Sequence, residues 1–322
     1  MGLATVWAVL RIPTRRAASL SFVLYAAGLL SLAAVLVAGV RINGATRWFR
    51  LGPLSLQPSE FAKLFAMLYL ARFLSWPDRS GTWKGFVSAW ILAGLPIVLI
   101  QLQPDLTTAM LLAPSAFAML WISGVSLRRW ATFGACAAGL FAILWFSGAI
   151  HDYQKSRVTT FLKKYGIGSV SAADHRRMAE REAYQEIQAR IAIGSGGILG
   201  KGYLSGTQNQ LAVIPMSSSD FIYAVVAEEW GFVGSLVLLG LYAALVLELF
   251  QAARRSGDPF GQLFAAGFAA HLACQVVINL AMATGIFPVV GIPLPLVSAG
   301  GSSIVATLAG LAVCARIASS EE

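Results

Sequence analysis

Charged side chains are scarce in this sequence: they make up 12% of its 322 residues, whereas hydrophobic residues make up 57%. A soluble domain carries about twice that share of charge, so the composition excludes an ordinary soluble protein. The formal net charge of +9 does not indicate nucleic-acid binding, because lysine and arginine collect in the short loops of membrane proteins and set their topology. The sequence therefore predicts an integral membrane protein.

Cysteine and histidine are also rare, with three residues of each type. The cysteines all lie in apolar segments without the spacing of metal ligands, so we interpret them as small core residues. The small number of histidines argues against a histidine-based metal site. No set of side chains in the sequence requires a metal ion or another cofactor.

Long apolar segments make up most of the chain. A helix needs about 20 mostly apolar residues to cross a membrane, and the loops expected inside carry arginine, which places both termini in the cytoplasm. We predict an all-α integral membrane protein: a polytopic bundle of about eight transmembrane helices in a single domain, residues 1–322. Residues 151–219 form one long outer loop. The predicted spans are 18–40, 60–76, 84–102, 106–124, 130–150, 221–252, 262–284 and 303–318.

The first outer loop, residues 43–63, carries several candidate binding residues. Pro58 suits the first turn of a helix, which places Glu60 and Lys63 on one helical face. Such a pair is interpreted either as structural support or as a substrate contact, since charges inside membranes are often functional. Arg47 is either an interfacial anchor or a ligand for an anionic head group.

The long outer loop contains an alanine- and charge-rich run up to Arg190. It predicts an amphipathic helix with Ala183, Ile187 and Ile191 on one face, lying on the membrane, on the bundle or in solvent. A glycine-rich stretch follows at residues 194–206. It lacks the Walker A spacing, so it is weak evidence for a phosphate site.

Asp220 stands where this polar loop enters an apolar helix. A carboxylate at such a boundary is costly to desolvate, so it is usually paired or functional. Helix capping is the alternative, because aspartate also suits an N-terminus. Further along, Glu228 and Glu229 are adjacent acids in an apolar helix, and we expect at least one to face the protein interior with a partner.

Four motifs occur in chain order: NGATRW with LQPSEFAKL (43–64), LQPDLTTA (102–109), IAIGSGGILGKGYLSGTQ (191–208) followed by Asp220-Phe-Ile and Ala-Glu-Glu (227–229), and GIFPVVGIPLPLVSAGGSS (285–303). Together they resemble the SEDS family (shape, elongation, division and sporulation proteins), the RodA/FtsW peptidoglycan polymerases. The last motif is closest to the RodA branch. The family usually has ten helices, and this chain lacks the first and most of the second, so we expect a truncated gene model or a shortened variant.

The resemblance implies a peptidoglycan glycosyltransferase that polymerises lipid II into glycan strands during cell wall elongation. The family's essential aspartate matches Asp220, a proposed general base. Glu60 would position Lys63, and cations would bind the diphosphate of the substrate. A divalent cation, Mg²⁺ or Mn²⁺, would be compatible with such a site. The substrate-binding residues implied are Arg47, Glu60, Lys63, Lys201, Gln208, Ser298 and Ser302.

The same resemblance implies partners and a location. These are lipid II, a class B penicillin-binding transpeptidase and membrane lipid, with no nucleic acid, in the inner membrane of a bacterium. A lipid II flippase or transporter and a non-catalytic scaffold are the alternatives, since topology alone fits a transporter equally well. The segment before the aspartate also departs from the family pattern at residues 216–219.

Overall fold

The computed structural model describes residues 2–42, 45–52, 54–76, 79, 81–103, 105–146, 173–206 and 219–319. Helices dominate these residues, which confirms the predicted all-α membrane class. The helices are α1 (Gly2–Leu10), α2 (Thr14–Ala38), α3 (Pro58–Leu74), α4 (Trp83–Leu102), α5 (Leu106–Met110), α6 (Leu112–Ile122), α7 (Leu127–Phe146), α8 (Ala173–Ser195), α9 (Ile222–Arg255), α10 (Pro259–Ala283) and α11 (Gly301–Ala318).

Helices occupy the described part of each of the eight predicted spans, with ends shifted by a few residues; residues 147–150 of the fifth predicted span lie outside the described residues. The predicted span 106–124 is divided into α5 and α6, and α9 is interrupted at Gly231. Of the described helices, α2, α4, α9, α10 and α11 are long and apolar enough to cross a membrane by length and composition. The count of eight crossings therefore stays a prediction, whereas a multi-pass membrane protein is established.

Large apolar side chains are exposed along these helices. On α9 alone, Leu236, Leu241 and Leu247 are each more than half exposed. Water would disfavour so much apolar surface, but lipid tails solvate it as well as another helix does. The exposed faces are those expected of helices that contact lipid.

A small antiparallel sheet lies where the sequence predicted only a loop. Its strands are β1 (Val40–Ile42), β2 (Ala45–Leu51) and β3 (Leu54–Leu56), in the order β1-β2-β3. Thr46 pairs with Arg41, and Arg50 pairs with Ser55. Strands of three to seven residues contain too few alternations for their period of two to stand out. Arg47 lies in β2 where the register of the β1–β2 pair shifts, between Thr46 and Trp48.

The chain divides into two compact units, and the first comprises residues 1–125, 241–276 and 295–322. In it α2 packs along α3, and α3 also contacts α4, α6 and α11. Leu32 of α2, Ala62 of α3 and Ile100 of α4 form a buried apolar cluster with Ala109 of α5. This packing holds α3, and with it Glu60 and Lys63, inside the unit.

The second unit comprises residues 126–240 and 277–294. Its glycine-rich segment, residues 194–206, packs on α9 where that helix is broken, and we call this segment the glycine clamp. Gly231 has φ 65° and ψ −161°, a conformation open almost only to glycine. The backbone groups freed by the break bond to the clamp: Lys201 N to Glu228 O (3.0 Å), Gly202 N to Glu229 O (2.9 Å), Phe232 N to Gly197 O (2.9 Å) and Val233 N to Ile198 O (3.1 Å).

These four bonds bring the backbone of the clamp close to that of α9. A buried helix break is tolerated only where its backbone groups find other partners. The clamp supplies them, and only glycine allows such close approach: a side chain at Gly200 would meet the backbone of Glu229. Backbone packing therefore accounts for Gly200, and likewise for Gly196, where a Cβ would meet the backbone of Ala227.

Helix α8 exposes the isoleucines of the predicted apolar face, which fits two of the three predicted surroundings, membrane or solvent. Ile187 and Ile191 are about half exposed, whereas Ala189 and Ala192 are fully buried. Small alanines allow a close helix contact, so they form the inward face, and the isoleucines are left open to lipid or solvent. The side chain of Ala183 lies outside the described residues.

Candidate functional site

Asp220 lies in the turn that leads into α9, in the second unit, and is partly buried. The Ser219 hydroxyl donates a hydrogen bond to its carboxylate, but burial is the larger influence and raises the pKa of the Asp220 carboxyl group above its usual range. Gly291, with φ 71°, brings its backbone alongside: a Cβ there would lie 3.3 Å from Asp220 Oδ2. The carboxylate is thus held between the turn before α9 and the loop that contains Gly291.

Asn279 holds the backbone of the same turn. It is fully buried in α10, and its Nδ2 donates to the carbonyl oxygen of Asp220 at 2.9 Å and to that of Ile292. This residue was not predicted from the sequence. The signal was an asparagine in a largely apolar helix, where polar side chains are usually functional or paired.

The acid pair in α9 behaves as the sequence predicted. Glu228 is completely buried and forms an ion pair with Lys201, with Nζ 2.6 Å from Oε1. Ser195 Oγ lies 3.5 Å from the same oxygen. Lys201 therefore joins the glycine clamp to the broken helix. An anion that bound to Lys201 would share its ammonium group with the Glu228 carboxylate.

Glu60 and Lys63 form the ion pair that their spacing in α3 predicted. Lys63 Nζ lies 2.9 Å from Glu60 Oε1, and both side chains are almost fully buried in the first unit. The Ser303 hydroxyl also hydrogen-bonds to Glu60. A cavity of about 10 Å³, lined by this pair, His271 and Thr307, lies beside them, which is about the space of one water molecule.

Replacing Lys63 with methionine should leave the buried Glu60 carboxylate without its cationic partner. Removing one partner of a buried pair costs about 3–5 kcal/mol, whereas replacing both with apolar residues costs less. We therefore expect a lower thermal unfolding midpoint for Lys63→Met than for the Glu60→Leu/Lys63→Met double variant. If the double variant is folded but as inactive as Lys63→Met, the pair contacts substrate instead of only supporting α3.

Arg47 is anchored by a network at the ends of the helices of the first unit. Its Nε donates to the carbonyl oxygen of Gln103 at 2.8 Å, and its guanidinium lies 3.6 Å from the carboxylate of Asp105. Asp105 is buried and also accepts from Thr108 and from Gln57. The sequence singled out the motif that contains Asp105 but gave that residue no role.

Ser302 extends this network. Its hydroxyl accepts from the backbone N–H of Gln57 at 3.0 Å and donates to the carbonyl oxygen of Ser55 at 3.2 Å. Ser298 is buried in the same unit, and Gln208 lies outside the described residues. The first unit thus holds Arg47, Glu60, Lys63, Ser298 and Ser302, and the second holds Asp220 and Lys201.

Comparisons with known proteins show which family this chain is similar to. The family model described as "Cell cycle protein", that of FtsW, RodA and SpoVE, matches residues 1–322. The chain is 39% identical over 317 residues to peptidoglycan glycosyltransferase MrdB of Escherichia coli strain K12, covering 98% of this chain and 82% of that protein. It is 36% identical over 323 residues to the probable peptidoglycan glycosyltransferase FtsW of Marinobacter nauticus, covering 98% and 77%.

Two solved structures are similar over nearly the whole chain. One belongs to a peptidoglycan synthase complex that coordinates polymerization and crosslinking, with a TM-score of 0.81, 34% identity and coverage of 99% of this chain and 87% of that chain. The other is the rod shape determining protein RodA of Thermus thermophilus, with a TM-score of 0.70, 34% identity and coverage of 99% and 84%. On this evidence the chain belongs to the FtsW, RodA and SpoVE family of membrane proteins.

Proposed function

We propose that this protein is a peptidoglycan glycosyltransferase that polymerises lipid II, and that Asp220 is its general base. Curated relatives with more than a third of their residues identical carry the name peptidoglycan glycosyltransferase. The observation that carries the mechanism is the Asp220 carboxylate, partly buried at the entrance to α9 with a raised pKa. Ionisable groups perturbed in this way are concentrated at catalytic sites.

The reaction needs one proton acceptor and one stabilised leaving group. The 4-hydroxyl of one sugar attacks the anomeric carbon of another, so a new C–O bond forms while the bond to undecaprenyl diphosphate breaks. Asp220 accepts the proton of the attacking hydroxyl, and the diphosphate departs with the bonding electron pair. A positioned base contributes about 10²–10⁴-fold to such a rate.

A raised pKa suits this role. A general base works best when its pKa lies near the working pH, and an ordinary aspartate is too weak a base for efficient proton abstraction at neutral pH. Burial moves the pKa of Asp220 in the required direction. The Ser219 hydrogen bond acts in the opposite direction and favours the charged form of the carboxyl group.

Cationic side chains are proposed to stabilise the diphosphate. Arg47, Lys63 and Lys201 each lie in an ion pair within their own unit, and their positive charges would offset the charge that develops on the diphosphate. Ser298, Ser302 and Gln208 are proposed as neutral contacts to substrate. The ion pairs would hold the cations in place before substrate binds, which lowers the entropy cost of binding.

A crosslinking partner and a membrane location complete the proposal. The similar solved structure of a peptidoglycan synthase complex couples polymerization to crosslinking, which supports a class B penicillin-binding transpeptidase as partner. We place the protein in the bacterial inner membrane, serving cell wall elongation, with both termini cytoplasmic. The single domain over residues 1–322 is part of the same proposal.

A polymerisation assay tests the function directly. Purified full-length protein with lipid II, with and without the partner transpeptidase, should yield glycan strands that are separated by length on a gel. A protein that binds lipid II and moves it across the membrane of a vesicle without forming glycan strands would be a transporter instead. A protein that only recruits the transpeptidase, with neither activity, would be a scaffold.

The proposed orientation predicts opposite labelling of two serines. With the native cysteines removed, Ser205→Cys in the glycine clamp should react with a membrane-impermeant maleimide in intact cells. Ser256→Cys, between α9 and α10, should react only after permeabilisation, because arginines beside it favour the inside. The reverse pattern would overturn the orientation while leaving the fold unchanged.

A further inference from the structure

Asn279 is a buried side chain that ties the Asp220 turn to the loop after α10. It is completely buried, and its amide nitrogen lies 2.9 Å from the carbonyl oxygen of Asp220. The same nitrogen donates to the carbonyl oxygen of Ile292. All three residues belong to the second unit.

The orientation of this amide follows from its partners. Both partners are backbone carbonyl oxygens, which only accept hydrogen bonds. The nitrogen of the side chain must therefore face them, and a flipped amide would bring oxygen against oxygen twice. The two hydrogen bonds are a fixed property of asparagine at this position.

The two carbonyl groups belong to opposite walls of the Asp220 site. One is that of Asp220 itself, in the turn before α9, where the first-turn N–H of Ala224 bonds to Phe221 instead. The other belongs to Ile292, next to Gly291, whose backbone lies alongside the Asp220 carboxylate. One amide therefore sets the distance between the base and the wall beside it.

The rest of the loop is built to keep that wall in place. The N–H groups of Ile286 and Phe287 both bond to the carbonyl oxygen of Ala281, and Ile292 and Leu294 are buried. The loop thus folds back on the end of α10 and presents Ile292 to Asn279. A shift of Asn279 would move Asp220 directly through its carbonyl oxygen, and also through Ile292 and the neighbouring Gly291.

We infer that Asn279 is a positioning residue for the Asp220 carboxylate. This inference rests on the proposed function, because it assigns Asn279 no chemistry of its own. Asn279 is expected to act on turnover rather than on substrate binding, because it touches the backbone of the base and not the substrate. Misplacement of a reacting group by about 1 Å can cost on the order of 100-fold in rate.

Two variants and a matched control test this role. Asn279→Leu removes both hydrogen bonds, whereas Asn279→Ser is small and keeps one donor. Thr284→Val is the control: Thr284 lies just beyond α10 in the same unit, but its hydroxyl bonds to carbonyl oxygens of that helix, from Leu280 and Ala281. The measurements on full-length protein are kcat and KM for glycan-strand synthesis, binding of lipid II and the thermal unfolding midpoint.

For Asn279→Leu we expect kcat to fall by about 10–100-fold with KM and lipid II binding within about twofold of wild type. Asn279→Ser should lie between Asn279→Leu and wild type, and Thr284→Val should match wild type. In an Asp220→Asn background, Asn279→Leu should cause no further loss, because residues that act through one group are not additive.

Several results would overturn the inference. A folded Asn279→Leu with wild-type kcat would do so, as would a loss that adds in full to that of Asp220→Asn. If neither Asn279 variant folds, the amide serves folding alone. These outcomes are distinct from failure of the proposed function, which is shown by full activity of Asp220→Asn itself.

Discussion

Asp220→Asn should yield a folded protein that binds lipid II but makes almost no glycan strands. Asparagine has the shape of aspartate, caps helices about as well and still accepts the hydrogen bond from Ser219. It cannot take up the proton of the attacking hydroxyl, so turnover should fall by about 10²–10⁴-fold. The measurements are strand synthesis, lipid II binding and the thermal unfolding midpoint.

Two further variants complete this test. Asp220→Ser, another good N-cap residue, should be equally inactive, whereas Ser219→Ala should retain most activity because it removes only one hydrogen bond to the base. Near-normal synthesis by Asp220→Asn would leave capping as the role of this residue. It would also favour the transporter or the scaffold over the enzyme.

The pH dependence of the wild type follows from the raised pKa of Asp220. As the pH falls, the carboxyl group takes up its proton at a higher pH than an ordinary aspartate would, so activity should be lost earlier on the acid side. The sign for stability is the opposite: a raised folded-state pKa favours folding below the unfolded pKa, and that contribution is lost as the pH rises through the folded pKa. Asp220→Asn should therefore melt no lower than wild type at neutral pH.

Local spacing was sufficient to predict some of the site. Pro58 begins α3 as expected, and the separation of Glu60 and Lys63 by three residues fixed their pairing, because neighbours on one helical face do not depend on the rest of the fold. The burial of Glu228 also followed from its position in an apolar helix. The sequence predicted that a buried acid at this place needs a partner, but it did not predict that the partner is Lys201.

The identity of distant partners could not be predicted in this way. Lys201 reaches Glu228 because the glycine clamp folds onto a helix break, and that break depends on one residue, Gly231. Asn279 meets Asp220 from a different helix, through two backbone carbonyls that carry no side-chain pattern. Such contacts are properties of the tertiary fold, and hydrophobic periodicity contains no information about them.

Gly231→Ala should strongly destabilise the second unit. The backbone at Gly231 has φ 65° and ψ −161°, outside the regions that residues with a Cβ adopt at low cost. A Cβ would also lie 2.6 Å from the carbonyl oxygen of Ile198 and still closer to the backbone nitrogen of Gly200. Neither backbone atom can rotate away, so strain and overlap together should cost about 4 kcal/mol or more.

Gly240→Ala is the matched control for this change. Gly240 lies in the same helix, and nothing is within 4 Å of a Cβ placed there, so alanine should be neutral or stabilising by up to about 1 kcal/mol. Gly200→Ala should resemble Gly231→Ala, because it faces the same break from the clamp, at φ 79°. The measurements are the yield of folded protein and the thermal unfolding midpoint in detergent. If Gly231→Ala has the same thermal unfolding midpoint as Gly240→Ala, the break relaxes into a continuous helix. The clamp would then not be needed to satisfy the backbone groups of α9.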